Sequence, residues 1–113
     1  MATPSDDRLV RDTLQRYRSA YELLNARSAQ EVWPTVDEPA LARAFDGLES
    51  QSLTFDDCNV ELDGAVATAT CRGSAKYTPR TGSRESHVES RVWSFTLSRM
   101  SRGWQIDSAR VAR

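Results

Sequence analysis

Two tyrosines four residues apart, Tyr17 and Tyr21, are the side chains whose type and spacing best suit chemistry. That spacing puts both phenols on one face of a helix, where each hydroxyl can donate a hydrogen bond to a ligand carbonyl. The alternative is two aromatic bodies in a core with their hydroxyls reaching the rim. His87, the one histidine, stands close to Lys76, Arg80 and Arg84. Proton transfer needs a partner within hydrogen-bond reach, and the sequence shows no such pairing for His87. The positive balance around it suits either an anionic ligand or a solvated loop. Asp56 and Asp57 fall at an irregular point in a strand pattern, where one of them could turn inward. Asp107 shares its parity with Gln105 and Ala109, opposite to Trp104 and Ile106, so it should face away from the interior. None of the three makes a convincing general base.

Two cysteines thirteen positions apart and one histidine do not complete an ordinary metal site. Cys58 and Cys71 read as small buried hydrophobes or as a disulfide between neighbouring strands, and such a pair could serve as a redox switch. A Ser-His-Asp set, a phosphate-binding Gly-rich loop and a dinucleotide fingerprint are missing from the sequence. The expectation is therefore no cofactor, no metal and no catalytic residue, leaning away from an enzyme.

At 113 residues the chain is long enough for one core without staples, so a single domain over 1–113 is expected. Fifteen basic residues nearly balance sixteen acidic ones, leaving no field to attract nucleic acid or a membrane surface. All the basic residues but Lys76 are arginine, which fits a GC-rich bacterial genome better than so many designed anion contacts. Aromatic residues alternate with Ser, Thr and Gln instead of with basic side chains, unlike a single-strand-binding surface. No apolar run approaches the roughly 20 residues that span a bilayer, and the polar, acidic start does not read as a secretory signal. A cytoplasmic location is the expectation, and a module cut from a longer polypeptide fits equally.

Helices should come first. Thr3-Pro4-Ser5-Asp6-Asp7 supplies a cap, a proline for the first turn and two carboxylates at the positive end of the dipole. Val10, Leu14, Tyr17, Tyr21 and Leu24 then make one apolar stripe. Ser28 and Glu31 form a possible capping box for a short helix over 29–33, stopped by Pro34. Asp37-Glu38-Pro39 opens a third helix, with Leu41, Ala44, Phe45 and Leu48 facing inward.

Strand patterns follow. Leu53 and Phe55 have one parity and Cys58, Val60 and Leu62 the other, so a bulge near Asp56-Asp57 would return both sets to one face. Asp63-Gly64 reads as a two-residue turn, which sets Cys58 opposite Ala69 and diagonal to Cys71. After a polar loop over 78–86, the last two strands carry Trp93, Phe95 and Leu97, then Trp104 and Ile106. The fold class is α+β, with N-terminal helices packed on a curved four-stranded antiparallel sheet, a half-open cone.

This order resembles the nuclear transport factor 2-like superfamily, with its cystatin-like cone shared by polyketide cyclase-like and ketosteroid isomerase-like proteins. The resemblance rests on Leu14-x-x-Tyr17-x-x-x-Tyr21, Trp33-Pro34, Val60-x-Leu62-Asp63-Gly64, and Trp93-x-Phe95-x-Leu97 with Gly103-Trp104-x-Ile106. Trp33-Pro34 together with a cysteine in each of the first two strands is similar to domains appended to bacterial serine/threonine kinases, although no kinase motif is present. The superfamily holds lyases, isomerases and domains without chemistry, so the fold does not define the activity. Asn25 stands where many relatives have Asp, and an amide cannot act as a general base.

A pocket inside the cone would be lined by Tyr17, Tyr21, Trp33, Phe45, Cys71, Trp93 and Trp104, unless these fill it as core. The opposite face carries Thr68, Thr70, Ser94, Thr96 and Ser98, small uncharged side chains over which two sheets could pack. The resemblance implies dimerisation there. Two readings follow: a non-catalytic dimeric association or sensor domain with a modest apolar pocket for a small ligand, or a small lyase or isomerase acting on a carbonyl-bearing apolar substrate.

Overall fold

In a computed structural model, which describes residues 4–112, three helices precede a four-stranded sheet. The elements are α1 (Pro4–Glu22), α2 (Ala26–Val32), α3 (Glu38–Asp46), β1 (Leu48–Asp63), β2 (Val66–Pro79), β3 (His87–Met100) and β4 (Gly103–Ala112). Neighbouring strands pair antiparallel in the order β1-β2-β3-β4.

The apolar stripe of α1 is buried at Val10, Leu14 and Tyr17, and Ala20 joins it. The carboxylates of Asp6 and Asp7 lie in the first turn, at the positive dipole end; the hydroxyl cap expected at Thr3 lies outside the described residues. Leu24 falls beyond the helix at φ +54°, in the left-handed region, while the Asn25 N–H returns to the Ala20 carbonyl at 3.0 Å.

The second helix starts earlier than its sequence suggests. Asn25 is its N-cap, and Oδ1 accepts the Ser28 N–H at 3.0 Å, so Ser28 is a first-turn residue and not the cap. The helix closes at Val32, with the Trp33 N–H bonded to the Ala29 carbonyl. Asp37 caps α3 as expected, its Oδ1 accepting the Ala40 N–H at 3.0 Å. Phe45 is buried and Leu41 half-buried, but Ala44 turns to solvent.

The bulge in β1 falls at Asp56: Phe55 pairs with Gly73 and Asp57 with Arg72, leaving Asp56 as the extra residue. Leu53, Phe55, Cys58, Val60 and Leu62 thereby share the inner face. The backbone comes so close here that a Cβ on Gly73 would overlap the Thr54 carbonyl oxygen. At the far end the loop pair is Gly64-Ala65, with Asp63 opposite Val66 and Gly64 at φ +62°. The shift from the expected Asp63-Gly64 turn moves the register, and Cys58 sits directly opposite Cys71, not Ala69. A disulfide joins them, with Cα atoms 4.1 Å apart.

In β4 a bulge falls at Asp107, since Thr96 pairs with Ser108 and Leu97 with Ile106. Asp107 points outward as expected, but the extra residue flips the parity beyond it. Ala109 therefore lies opposite Phe95 on the inner face, half-buried against the core.

The core lies between α1 and the inner sheet face. Along β2 that face carries small side chains, Ala67, Ala69, Cys71 and Ala75, all buried. They leave room for the rings of Trp93, Phe95 and Tyr17, each worth about 2 to 3 kcal/mol on full burial. Four hydrogen bonds tie α1 to β1, three of them at the strand's outer backbone edge. Arg11 Nη1 donates to the Cys58 carbonyl and Arg18 Nη1 to the Leu53 carbonyl, both at 3.2 Å. The Leu53 N–H donates to Glu22 Oε2 at 3.3 Å, and Gln51 Nε2 to the Tyr21 carbonyl at 3.0 Å. No described helix is long and apolar enough to cross a membrane.

Candidate functional site

The inner face of β3 changes character along its length. Counting back by twos, Leu97, Phe95 and Trp93 are buried, Arg91 and Glu89 are half-buried, and His87 is exposed. On β2 the matching positions run from Cys71, opposite Trp93, to Tyr77, opposite His87. The hydrophobic wall thus opens into a polar rim, where α1 and α3 bring further rings.

At that rim the Tyr77 hydroxyl donates to Glu89 Oε1 at 3.0 Å. Glu89 Oε2 accepts from Arg91 Nη2 at 2.9 Å and from Arg91 Nε at 3.3 Å. The Arg91 guanidinium lies 5.8 Å from the Tyr77 ring centroid, a cation–π contact, and the His87 ring stacks on Tyr77 at 5.3 Å. Sequence reading missed Tyr77, Glu89 and Arg91. The signal was strand parity carried past the last apolar residue.

Deeper in the cone, Tyr17 and Tyr21 stack with centroids 4.3 Å apart. Tyr17 sets its edge against Phe95 at 5.1 Å and lies 6.5 Å from Trp33; Tyr21 meets Phe45 edge-on at 5.1 Å. Burial pushes the Tyr17 phenol well above its ordinary value of 10.0, reinforced by Tyr21 beside it and by the hydrogen bond it gives to Tyr21, while Arg91 pulls slightly the other way. Burial also raises Tyr21, partly offset by that same hydrogen bond. Both phenols are neutral at physiological pH, suited to donating and not to removing protons.

Of the residues expected to line a pocket, Tyr17, Phe45, Cys71, Trp93 and Trp104 are buried, and Tyr21 and Trp33 are half-buried against the same core. Trp104 packs apart from the rings at the rim and forms part of a surface groove of about 430 Å³ with Arg16, Glu31 and Arg102. A second groove, about 200 Å³, runs between α1 and the β1 bulge and is lined by Arg11, Leu14, Phe55, Asp56, Asp57 and Cys58.

The other candidates are accounted for locally. Asp56 and Asp57 are both exposed at the bulge, so neither turns into the cone. Asp107 accepts from Ser98 Oγ at 3.0 Å on the outer face. The Asn25 side chain is occupied as the α2 cap. Arg80 donates to the Leu48 carbonyl at 3.3 Å and Arg84 to the Arg80 carbonyl at 3.0 Å, which folds the loop back toward the junction of α3 and β1. Lys76 pairs with Val88 on the opposite sheet face from His87. Among the described residues, no group of three or more His, Cys, Asp or Glu side chains could hold a metal ion.

No family model matches this sequence, and no curated protein matches it. Solved structures do. A nuclear transport factor 2-like superfamily protein from Salmonella enterica superposes with a TM-score of 0.88 at 11% identity, over 98% of this chain and 92% of that one. A provisionally named dehydratase of the same family from Streptomyces avermitilis gives 0.83 at 16% identity, over 96% and 97%. A provisionally named scytalone dehydratase from Novosphingobium aromaticivorans gives 0.79 at 9% identity, over 95% and 83%. The fold is the nuclear transport factor 2-like, cystatin-like cone. At these identities the likeness extends to the fold and no further.

Proposed function

We propose that the chain is a non-catalytic association or sensor domain, dimeric through its outer sheet face, with a modest apolar pocket, and a module of a larger bacterial signalling protein. One observation carries this reading: the ionisable groups facing the interior are engaged with one another. Glu89 is held by Tyr77 and Arg91, and Tyr17 is stacked on Tyr21 with both phenols held neutral by burial. A general base needs a carboxylate or imidazole poised to accept a substrate proton, and the Glu89 oxygens are already occupied. The half-buried Tyr21 and Trp33 are the pocket residues a small apolar ligand would reach first. Thr68, Thr70, Ser94 and Thr96 are exposed and Ser98 is half-exposed, an uncharged run on an outer face whose charges, Glu61, Arg72, Asp107 and Arg110, are of both signs and could pair across two copies.

Native mass spectrometry of freshly purified protein tests both parts. A dimer is expected, and an adduct of a few hundred daltons would report an occupied pocket. A monomer throughout the micromolar range would remove the association reading.

The lyase or isomerase reading draws on the paired phenols, which could polarise a carbonyl beside Arg91, and on the dehydratase names given to two structural neighbours. Under that reading Tyr21→Phe would abolish turnover of a carbonyl-bearing substrate while leaving the fold intact.

A further inference from the structure

The chain's two cysteines are spent on one cross-strand bond, and their surroundings differ sharply. Cys71 is fully buried on the inner face of β2, opposite Trp93. Cys58 is half-buried and lines the groove between α1 and the β1 bulge. A thiol from solvent can therefore reach only the Cys58 sulfur. Attack there would form a mixed disulfide on Cys58 and expel Cys71 as a thiolate into an apolar core, where a charge is poorly solvated. The leaving group disfavours reduction, so this geometry makes a poor switch.

The reverse direction is well arranged. The Cys58 thiolate attacks an oxidant disulfide, forming a mixed disulfide and releasing one oxidant thiolate. Cys71, directly opposite, then displaces the second oxidant thiolate as its own proton is lost. Two electrons pass to the oxidant, which leaves as a dithiol, and the Cys58–Cys71 bond remains. Formation of the bond needs a disulfide for Cys58 to attack, and such donors act in oxidising compartments, whereas the cytosol holds its thiols reduced.

We propose that the Cys58/Cys71 pair is a substrate for a disulfide-donating oxidoreductase, with Cys58 as entry point and Cys71 as resolving thiol, and that the domain works outside the reducing cytosol. This departs from the cytoplasmic location that sequence composition suggests. It does not depend on the reading of the cone, since a filled or an open pocket leaves the cystine unchanged.

The test is acid-trapped alkylation of thiols in cells that produce the protein, followed by mass analysis. A parallel sample of spheroplasts is treated with a protease that cannot cross the membrane. The expected result is a domain with no alkylated cysteine that is digested from outside. Free thiols in the producing cells, or a domain protected inside the spheroplast, would overturn the proposal. The purified domain adds a second arm. Reduced and then offered oxidised glutathione, Cys58→Ser should accumulate no mixed disulfide while Cys71→Ser accumulates one adduct per chain. Equal trapping by both variants would overturn the assignment of Cys58 as the entry point.

Discussion

Gly73 is the residue on which the bend of the sheet depends most directly. Any side chain there must displace the Thr54 carbonyl beneath the Asp56 bulge, and that obstacle is backbone, which yields poorly. Gly73→Ala is expected to cost about 3 kcal/mol or more, measured by denaturant unfolding. A loss below about 0.5 kcal/mol would mean the strands can separate locally at little cost. The tyrosine pair makes a separate prediction. Tyr17 and Tyr21 titrate higher in the folded protein than the ordinary value of 10.0. Above that value the unfolded chain loses phenolic protons that the folded one keeps. Their contribution is therefore complete below pH 10.0 and lost as pH rises through the folded values. Unfolding midpoints should fall on the alkaline side, and less steeply in a Tyr17→Phe/Tyr21→Phe protein; identical alkaline slopes would contradict the burial of these hydroxyls. Both tyrosines were legible in the sequence because the apolar stripe of α1 carries them. Gly73, Glu89 and Arg91 were not, since a close backbone approach and a polar stretch of inner face leave no mark in hydropathy.

At the scale of elements, the hairpin of β1 and β2 shows how far a pattern reaches. The change of parity between Phe55 and Cys58 located the bulge, because only an extra residue keeps both sets on the buried face. The turn was misplaced by one position: Asp63-Gly64 is a strong turn dipeptide, yet Gly64 occupies the first of the two loop positions with Ala65 after it. Alternating alanines along β2 tolerate either register, so apolar content could not decide. The direct pairing of Cys58 with Cys71 follows from this register. Replacing both by alanine should lower stability by about 3 kcal/mol on the chain-entropy account of a loop this long, with the far-UV spectrum retained. A double variant as stable as the parent would show that the hairpin is already fixed without the bond. The short second helix was also misread at its start, because Ser28 and Glu31 match a capping box as well as Asn25 matches a cap.

For the whole molecule, the order of helices and strands was readable because each element carries its own period, and the cone follows once α1 must cover the face bearing Trp93 and Phe95. Assembly was not readable in the same way, since a surface of hydroxyls marks a face without naming what covers it. Thr96→Arg places a charge at the centre of the outer face, beside Ser108, whose hydroxyl lies 2.6 Å from that of Thr96. If two copies meet there, this change should shift sedimentation from dimer to monomer without altering the unfolding midpoint by more than a degree or so. A variant that still sediments as a dimer would place the contact elsewhere.

The side chains of α1 that bond to the rim of β1 bear on the same question from another direction. An unshielded strand of this length would offer its amides and carbonyls to a neighbouring chain, and that chain would present its own to the next. Arg11, Arg18 and Glu22 already hold the Cys58 and Leu53 groups that such a neighbour would need, and on the opposite margin the Asp107 bulge and Thr35 interrupt β4. Lateral addition is therefore obstructed at these positions on both margins, and a neighbouring chain would have to displace an ion-bearing side chain or straighten a bulge before it could extend the sheet.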